Sequence, residues 1–423
     1  MTTKLLLGCV GDDFTGSTDL ANTLVRNGMR TVQLLGVPKD GVNVPDADAI
    51  VIALKSRTAP VKDAVAESLA ACRWLQSRGA KQLFFKYCST FDSTDRGNIG
   101  PVADALLDGI GQFSVACPAF PENKRTIYKG HLFVGDVLLS DSPMRNHPLT
   151  PMTDSSLVRV LGRQTSGKVG LIELNTVKRG ANAVRGAIEQ LMSDGYRYAM
   201  LDATEDAHLF TLGEACRDLP LITGGSGMAL GLPENFRRAG LLAPNPRADT
   251  LPEVGGLAAV IAGSCSVATL AQIAFMQRSR PSFKLDPLKL AAGEDQVLAA
   301  LAFANSKLAQ GPLLIYASAS TEEVKQAQHA LGIERASEVI ETAQGKIAQG
   351  LVAAGVRKLV IAGGETSGAV VSALKVKALQ IGPQIDPGVP WTVSMGEPRI
   401  ALALKSGNFG SEDFFLKALA CIS

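Results

Sequence analysis

Two adjacent carboxylates, Asp12 and Asp13, follow the apolar run LLLGCV at residues 5–10 and precede Thr15, Gly16, Ser17 and Thr18. A carboxylate at the end of a buried strand can take a proton from a substrate hydroxyl, work typically worth about 10²–10⁴-fold in rate. The bland alternative is a helix N-cap, in which a carboxylate accepts the first amides and is neutralised by the helix dipole. One Asp suffices for that. Successive strand residues face opposite ways, so the pair predicts one Asp in a site and the other bracing the turn. Which of Asp12 and Asp13 is the base stays open.

Cations stand at two further strand ends. Arg57 follows AIVIALKS, and Lys86 closes QLFFK ahead of the dense polar run YCSTFDSTDR, which carries Ser89 and Asp92. Such cations suit an anionic acceptor, and a guanidinium meets a carboxylate through two parallel hydrogen bonds that an ammonium cannot form. Arg57 and Lys86 are therefore the substrate-side candidates, with Ser89 and Asp92 in the same cluster. The Pro-rich stretch at 130–154, with His131, Asp136, Arg145 and His147, is too long for an ordinary connection. It reads either as a lid over a site, to which Asp136 would contribute, or as a packed loop.

The second half carries a different chemistry. AGSCS, GGETSG and KSGNFG each close an apolar run with small and hydroxyl residues. Bare turns at strand ends, followed by helix N-termini, seat anions. Three such turns in one domain favour a nucleotide. Glu365, inside GGETSG, would repel a bare phosphate but suits Mg²⁺ or a ribose hydroxyl. No side-chain metal ligand is singled out.

Two near-motifs fail inspection. GRQTSGKV at 162–169 has P-loop spacing, but Val169 stands where a hydroxyl should reach Mg²⁺, and a helix pattern precedes a strand pattern instead of following it. GGSGMALG at 224–231 misses the dinucleotide spacing by one residue and lacks the later acidic partner. It reads as a strand-to-helix turn facing the site.

These residues need a scaffold that gathers strand ends. Continuous apolar strands alternate with amphipathic helices, as in VKDAVAESLAACRWLQSR ending at Gly79, which implies parallel pairing. Predicted strands begin at residues 5, 31, 49, 82, 113, 169, 196 and 219, with four more in the second half. The expectation is an α/β protein of two domains with mainly parallel sheets and an interdomain active-site cleft. The boundaries are 1–235 for the substrate domain, 236–256 for a Pro-rich linker and 257–423 for the nucleotide domain.

Of 423 residues, 42 are basic and 40 acidic, with no cationic run, so nucleic acid and anionic membranes are not expected partners. No apolar run approaches the roughly 18 residues of a membrane span. Seven scattered cysteines without Cys-x-x-Cys spacing, and four dispersed histidines, predict reduced thiols, no transition metal and a cytoplasmic protein.

Together GDDFTGSTDLA, KYCSTFDSTDRGNIGPVADAL, GHLFVGDVLLSDSPMRNHPLTPMTD, GGSGMALGLP, AGSCS, GGETSG and SGNFG resemble the four-carbon acid sugar kinases over nearly the whole chain. GMRTVQ and KYCSTFDST are most similar to the branch acting on 3-oxo-tetronate. The commoner family form has Ala in place of Gly11 and of Ser17, small-for-small changes. The resemblance implies an N-terminal domain for the acid sugar and a C-terminal domain for ATP, with Mg²⁺ on the phosphates. It carries ATP contacts onto Ser264, Gly363, Gly364, Glu365, Thr366 and Gly407. The expected reaction phosphorylates the terminal hydroxyl of 3-oxo-tetronate, with D-threonate or D-erythronate as alternative acceptors and a homodimer as the assembly. A non-catalytic ATP or sugar-acid sensor is the rival from another class; it has no need of Asp12 and Asp13. A nicotinamide dehydrogenase is disfavoured by the missing glycine fingerprint.

Overall fold

The computed structural model describes residues 5–39, 44–147 and 149–422. The chain divides into two compact units between Asp249 and Thr250. Residues 236–238 of the expected linker still belong to a helix, Leu232–Arg238.

The first unit contains β1 (Leu7–Gly11), β2 (Thr31–Leu35), β3 (Ala49–Ala53), β4 (Gln82–Lys86) and β5 (Ser114–Cys117). Then come β6 (Arg125–Tyr128), β7 (His131–Val134) and β8 (Val137–Leu138), followed by β9 (Lys168–Ile172), β10 (Tyr196–Leu201) and β11 (Leu221–Gly224). The order β2-β3-β1-β4-β11-β5-β10-β9 is parallel throughout. All five residues of β1 are buried, as expected of a central strand covered on both faces. Its register sets Gly11 beside both Ala53 and Lys86, so the carboxyl ends of β1, β3 and β4 lie level.

Within the stretch at 130–154, residues 131–134 and 137–138 are β7 and β8, and residues 139–146 form two short 3₁₀ turns. β6, β7 and β8 form a separate antiparallel sheet. It is tied to the main body by Asp202, whose buried carboxylate accepts the N–H groups of Lys129, Gly130 and Leu174 at 2.8, 2.9 and 3.1 Å. The P-loop-like run spans the end of a helix, Leu157–Gln164, and the start of β9, the reverse of phosphate-loop order, with Lys168 resting over the Tyr196 ring. GGSGMALG is a buried 3₁₀ turn, Ser226–Gly231.

The second unit contains β12 (Leu257–Ala262), β13 (Ser282–Lys284), β14 (Leu313–Tyr316), β15 (Val356–Ala362), β16 (Ala378–Asp386), β17 (Val389–Ser394) and β18 (Ala401–Lys405). β13-β14-β12-β15-β18 run parallel; β17 and β16 then add antiparallel. Only β12, β14, β15 and β18 were legible as strands. β13 is three residues long, and the β16–β17 hairpin contains Pro383 and Pro390 around the turn at Pro387 and Gly388, residues that mask a strand pattern. Its β17 nevertheless enters the core: Trp391 is buried and its Nε1 donates to the Ala418 carbonyl at 2.9 Å.

Candidate active site

At the carboxyl end of β1 the Asp12 N–H donates to the Lys86 carbonyl at 3.0 Å, while its own carbonyl accepts from Ser56 and Arg57. The backbone thus locks three strand ends together around one side chain. Asp12 is 4% exposed, and both its oxygens meet the Arg57 fork, Nε at 2.8 Å and Nη2 at 3.0 Å. Asp13 is the N-cap of the helix Phe14–Arg26: its carboxylate accepts from the Gly16 amide at 3.1 Å and the Thr15 hydroxyl at 2.9 Å. It also pairs with Arg57 Nη2 at 2.8 Å and keeps 22% of its side chain exposed, against 5% for Asp12.

Arg57 is therefore not a free fork waiting for a substrate. Its remaining nitrogen, Nη1, makes a 3.4 Å contact to Asp92. Asp92 and Phe91 adopt positive φ, 46° and 66°, in a loop where the Thr90 hydroxyl donates to Asp92 at 2.7 Å. Strain of this kind in non-glycine residues persists only where the surroundings enforce it, and it clusters at functional sites.

Charge and burial divide the two acids. Burial pushes the Asp12 carboxyl up, against the pull of Arg57. Desolvation pushes Asp13 up as well, but Arg57 and Lys86, with the hydrogen bonds from Thr15 and Gly16, outweigh it and hold Asp13 below the usual range. Burial also opposes the charge on Arg57, yet the two aspartates raise its pKa well above the ordinary value. Lys86, 2% exposed, donates to the Tyr87 carbonyl at 2.8 Å. A Cβ built on Gly16 would lie 2.3 Å from Asp13 Oδ1 and 2.9 Å from Lys86 Nζ, so this position admits only glycine without a shift.

Two residues join the site that sequence reasoning passed over. Asp19 is buried on the helix Phe14–Arg26; it accepts a hydrogen bond from Ser226, and its Oδ1 has no partner among the described residues. Burial raises its pKa to about 6, with Lys86 and Ser226 pulling the other way. Arg125, at the start of β6, is lowered by burial and acts electrostatically with Cys88, Asp92 and Asp19. The helix itself carried a signal, since Thr15, Ser17, Thr18, Asp19, Asn22 and Thr23 are all buried, an unusually polar inward face. Nothing in RTIY marks Arg125. Among the expected residues, Asp12, Asp13, Arg57, Lys86 and Asp92 are brought together. Ser89 is buried in the same loop. Asp136 is not: it stands exposed at the turn between β7 and β8, with no hydrogen bond or ion pair to the group.

In the second unit the register does the same work. Ala262 pairs with Ala362, and Ala362 with Lys405, so the three glycine turns lie side by side. Gly363 N–H donates to the Lys405 carbonyl at 2.8 Å, and the Gly263 and Ser264 amides donate to the Ala362 carbonyl. Gly363 has φ of 127° and lies so close to Ser264 that a Cβ would sit 3.1 Å from its nitrogen. The helix Gly364–Ala373 starts here, with Glu365 exposed and Thr366 buried. A Cβ on Gly407 would lie 2.4 Å from Ser264 Oγ. Ser264, Gly363, Gly364, Glu365 and Thr366 open onto a cavity of about 830 Å³ whose further wall includes Phe283, Leu285, Ala299 and Ile340. A polar, amide-rich end and an apolar end suit a nucleotide's phosphates and base.

Residues 7–232 match a sugar-binding N-terminal domain and residues 259–415 a nucleotide-binding C-terminal domain. The 3-oxo-tetronate kinase of Burkholderia multivorans is 64% identical over 99% of this chain and 97% of its own. That of Cupriavidus necator is 60% identical over 98% and 96%. A solved Salmonella typhimurium LT2 structure described as a tRNA synthase shares 43% identity with a TM-score of 0.87, covering 99% of both chains. A sugar-binding unit joined to a nucleotide-binding unit defines a carbohydrate kinase. The chain belongs to the four-carbon acid sugar kinase family.

Proposed function

We propose that the protein transfers the γ-phosphoryl group of ATP to the terminal hydroxyl of 3-oxo-tetronate, giving 3-oxo-tetronate 4-phosphate. The observation that carries this reading is full-length identity of 60–64% to curated 3-oxo-tetronate kinases. Phosphoryl transfer asks for positioning and charge neutralisation more than covalent chemistry. Asp13 is assigned as the base that receives the hydroxyl proton, because geometry precedes pKa in such assignments and Asp13 is the more accessible carboxylate. Asp12 fixes Arg57, and Arg57 sets its positive charge against both neighbouring carboxylates. The substrate carboxylate then falls to the other cations of the group, Lys86 and Arg125, with Arg57 Nη1, Ser89 and Asp92 bounding the same space.

On the nucleotide side, Ser264, Gly363, Gly364, Thr366 and Gly407 are assigned to ATP, with Glu365 at the rim. Mg²⁺ is the expected companion of the phosphates. No group of three His, Cys, Asp or Glu side chains among the described residues builds a cage for it. The ion would arrive with the nucleotide and help neutralise its phosphates.

The test is ADP release over a panel of four-carbon sugar acids. Activity on 3-oxo-tetronate should exceed that on D-threonate and D-erythronate by at least about tenfold in kcat/KM, about 1.4 kcal/mol of discrimination. A reversed order would move the assignment to one of those acids. ADP release independent of every acid would overturn the kinase mechanism.

A further inference from the structure

Lys405 closes β18 and is fully buried. Among the described residues it meets no carboxylate: its ammonium donates to Thr269 Oγ1 at 3.0 Å and to the carbonyls of Ser406, Gly407 and Phe409 at 2.9, 2.8 and 3.1 Å. Ser266 and Thr269 hydroxyls add bonds to the Gly407 carbonyl at 2.6 and 2.9 Å. Gln272 draws in the carbonyls of Phe409, Gly410 and Ser411. The whole turn thus has its oxygens pulled towards the core.

In a planar trans peptide the N–H points opposite to the C=O. Drawing in the carbonyls of Ser406, Gly407 and Phe409 therefore turns the N–H groups of Gly407, Asn408 and Gly410 outward. None of these three amides donates a hydrogen bond among the described residues. Outward amides in a turn make an anion cradle, and Gly407 brings this one against Ser264 Oγ.

We propose that Lys405 is a positioning residue for the nucleotide's phosphates, setting the outward amides of Gly407 and Asn408 and placing an unpaired positive charge beneath them. The inference rests on the assignment of Ser264 and Gly407 to ATP. It adds a residue that never touches the nucleotide yet decides how its phosphates are held. Burial, with no charged neighbour among the described residues to offset it, lowers the Lys405 pKa to about 7. A bound phosphate supplies that counter-charge.

The test measures dissociation constants for ADP and for adenosine, with steady-state kinetics, on full-length wild type, Lys405→Met, Thr269→Val and Gly364→Val. Lys405→Met should weaken ADP by about 30-fold, the scale of a charge-assisted interaction. Adenosine, which uses the apolar end of the cavity, should stay within about threefold, which also reports a folded variant. ATP KM should rise with ADP Kd, while kcat at saturating ATP and the sugar-acid KM stay near wild type. A folded Lys405→Met that binds ADP as tightly as wild type, or that loses adenosine equally, overturns the proposal. Should Lys405→Met fail to fold, Thr269→Val decides: ADP weakened about three- to tenfold supports the proposal, and wild-type affinity overturns it. Gly364→Val separates the two levels. If it leaves ADP binding intact, the phosphate seat itself is misplaced and the inference falls with it. If it weakens ADP while folded Lys405→Met does not, the inference alone falls.

Discussion

Both Asp12 oxygens face the Arg57 fork, whereas Asp13 is capped by Thr15 and Gly16 at the more open edge of the group. The two Asp-to-Asn changes should therefore fail differently. Asp13→Asn should lower kcat by about 10²-fold or more with ATP KM unchanged. Asp12→Asn breaks a buried ion pair, so its Tm should fall by roughly 6 °C or more. Steady-state kinetics and calorimetry on both variants check this; a stable, inactive Asp12→Asn beside an active Asp13→Asn would exchange the roles. Asp19 offers a test by pH. Its folded pKa, about 6, lies above that of an ordinary Asp, so the folded state holds the proton more tightly. That contribution is complete below about pH 4 and is lost as pH rises through 6. Asp19→Asn should flatten the fall in Tm between pH 4 and 7 and raise Tm at pH 8 by about 2–4 °C. A Tm profile identical to wild type would show that Asp19 is solvated. Asp12 and Asp13 were legible because two carboxylates exceed what one cap needs. The task of Arg57 was not: its position at a strand end is visible in the sequence, but whether its fork faces solvent or its own chain's acids depends on the level register of β1 and β3.

The elements that carry the first site are β1, a tight turn and the helix Phe14–Arg26, and Gly16 is where they are least tolerant. Its absent Cβ leaves the space that Asp13 Oδ1 and Lys86 Nζ share. Gly16→Ala should displace both groups and lower kcat at least about tenfold, while ATP KM stays unchanged; wild-type kcat would show that the turn yields at no cost to the site. The parallel strands were legible because burial on both faces writes a continuous apolar run into the sequence. The same logic exposed Lys86 as a lysine closing such a run, QLFFK, whereas Lys405, which closes ALALK in the same way, was passed over. What escaped were the β16–β17 hairpin and the β6–β7–β8 sheet. In the hairpin, prolines and a glycine turn interrupt the run. In the small sheet, half-buried strands of two to four residues leave too short a pattern to read.

For the molecule as a whole, two α/β units each present a level row of strand ends, one rich in Asp, Lys and Arg, the other in Gly and Ser. A kinase has two substrates of opposite demands. The four-carbon acid offers few atoms and needs cations with a base, whereas a triphosphate needs many amides and little side-chain bulk. This division is testable by hydrogen exchange on the intact protein, since bound ligand slows exchange at the backbone it orders. ADP alone should protect residues 263–266, 363–368 and 406–410. A non-reacting four-carbon acid alone should protect residues 12–18 and 86–93, with 55–58 following through Arg57. The stretch at 162–169 serves as the internal control, because it has the glycine and lysine spacing of a phosphate loop but runs from the end of a helix into β9. Protection of 162–169 by ADP, with 363–368 left unchanged, would put the nucleotide in the first unit and reverse the assignment of the two substrates.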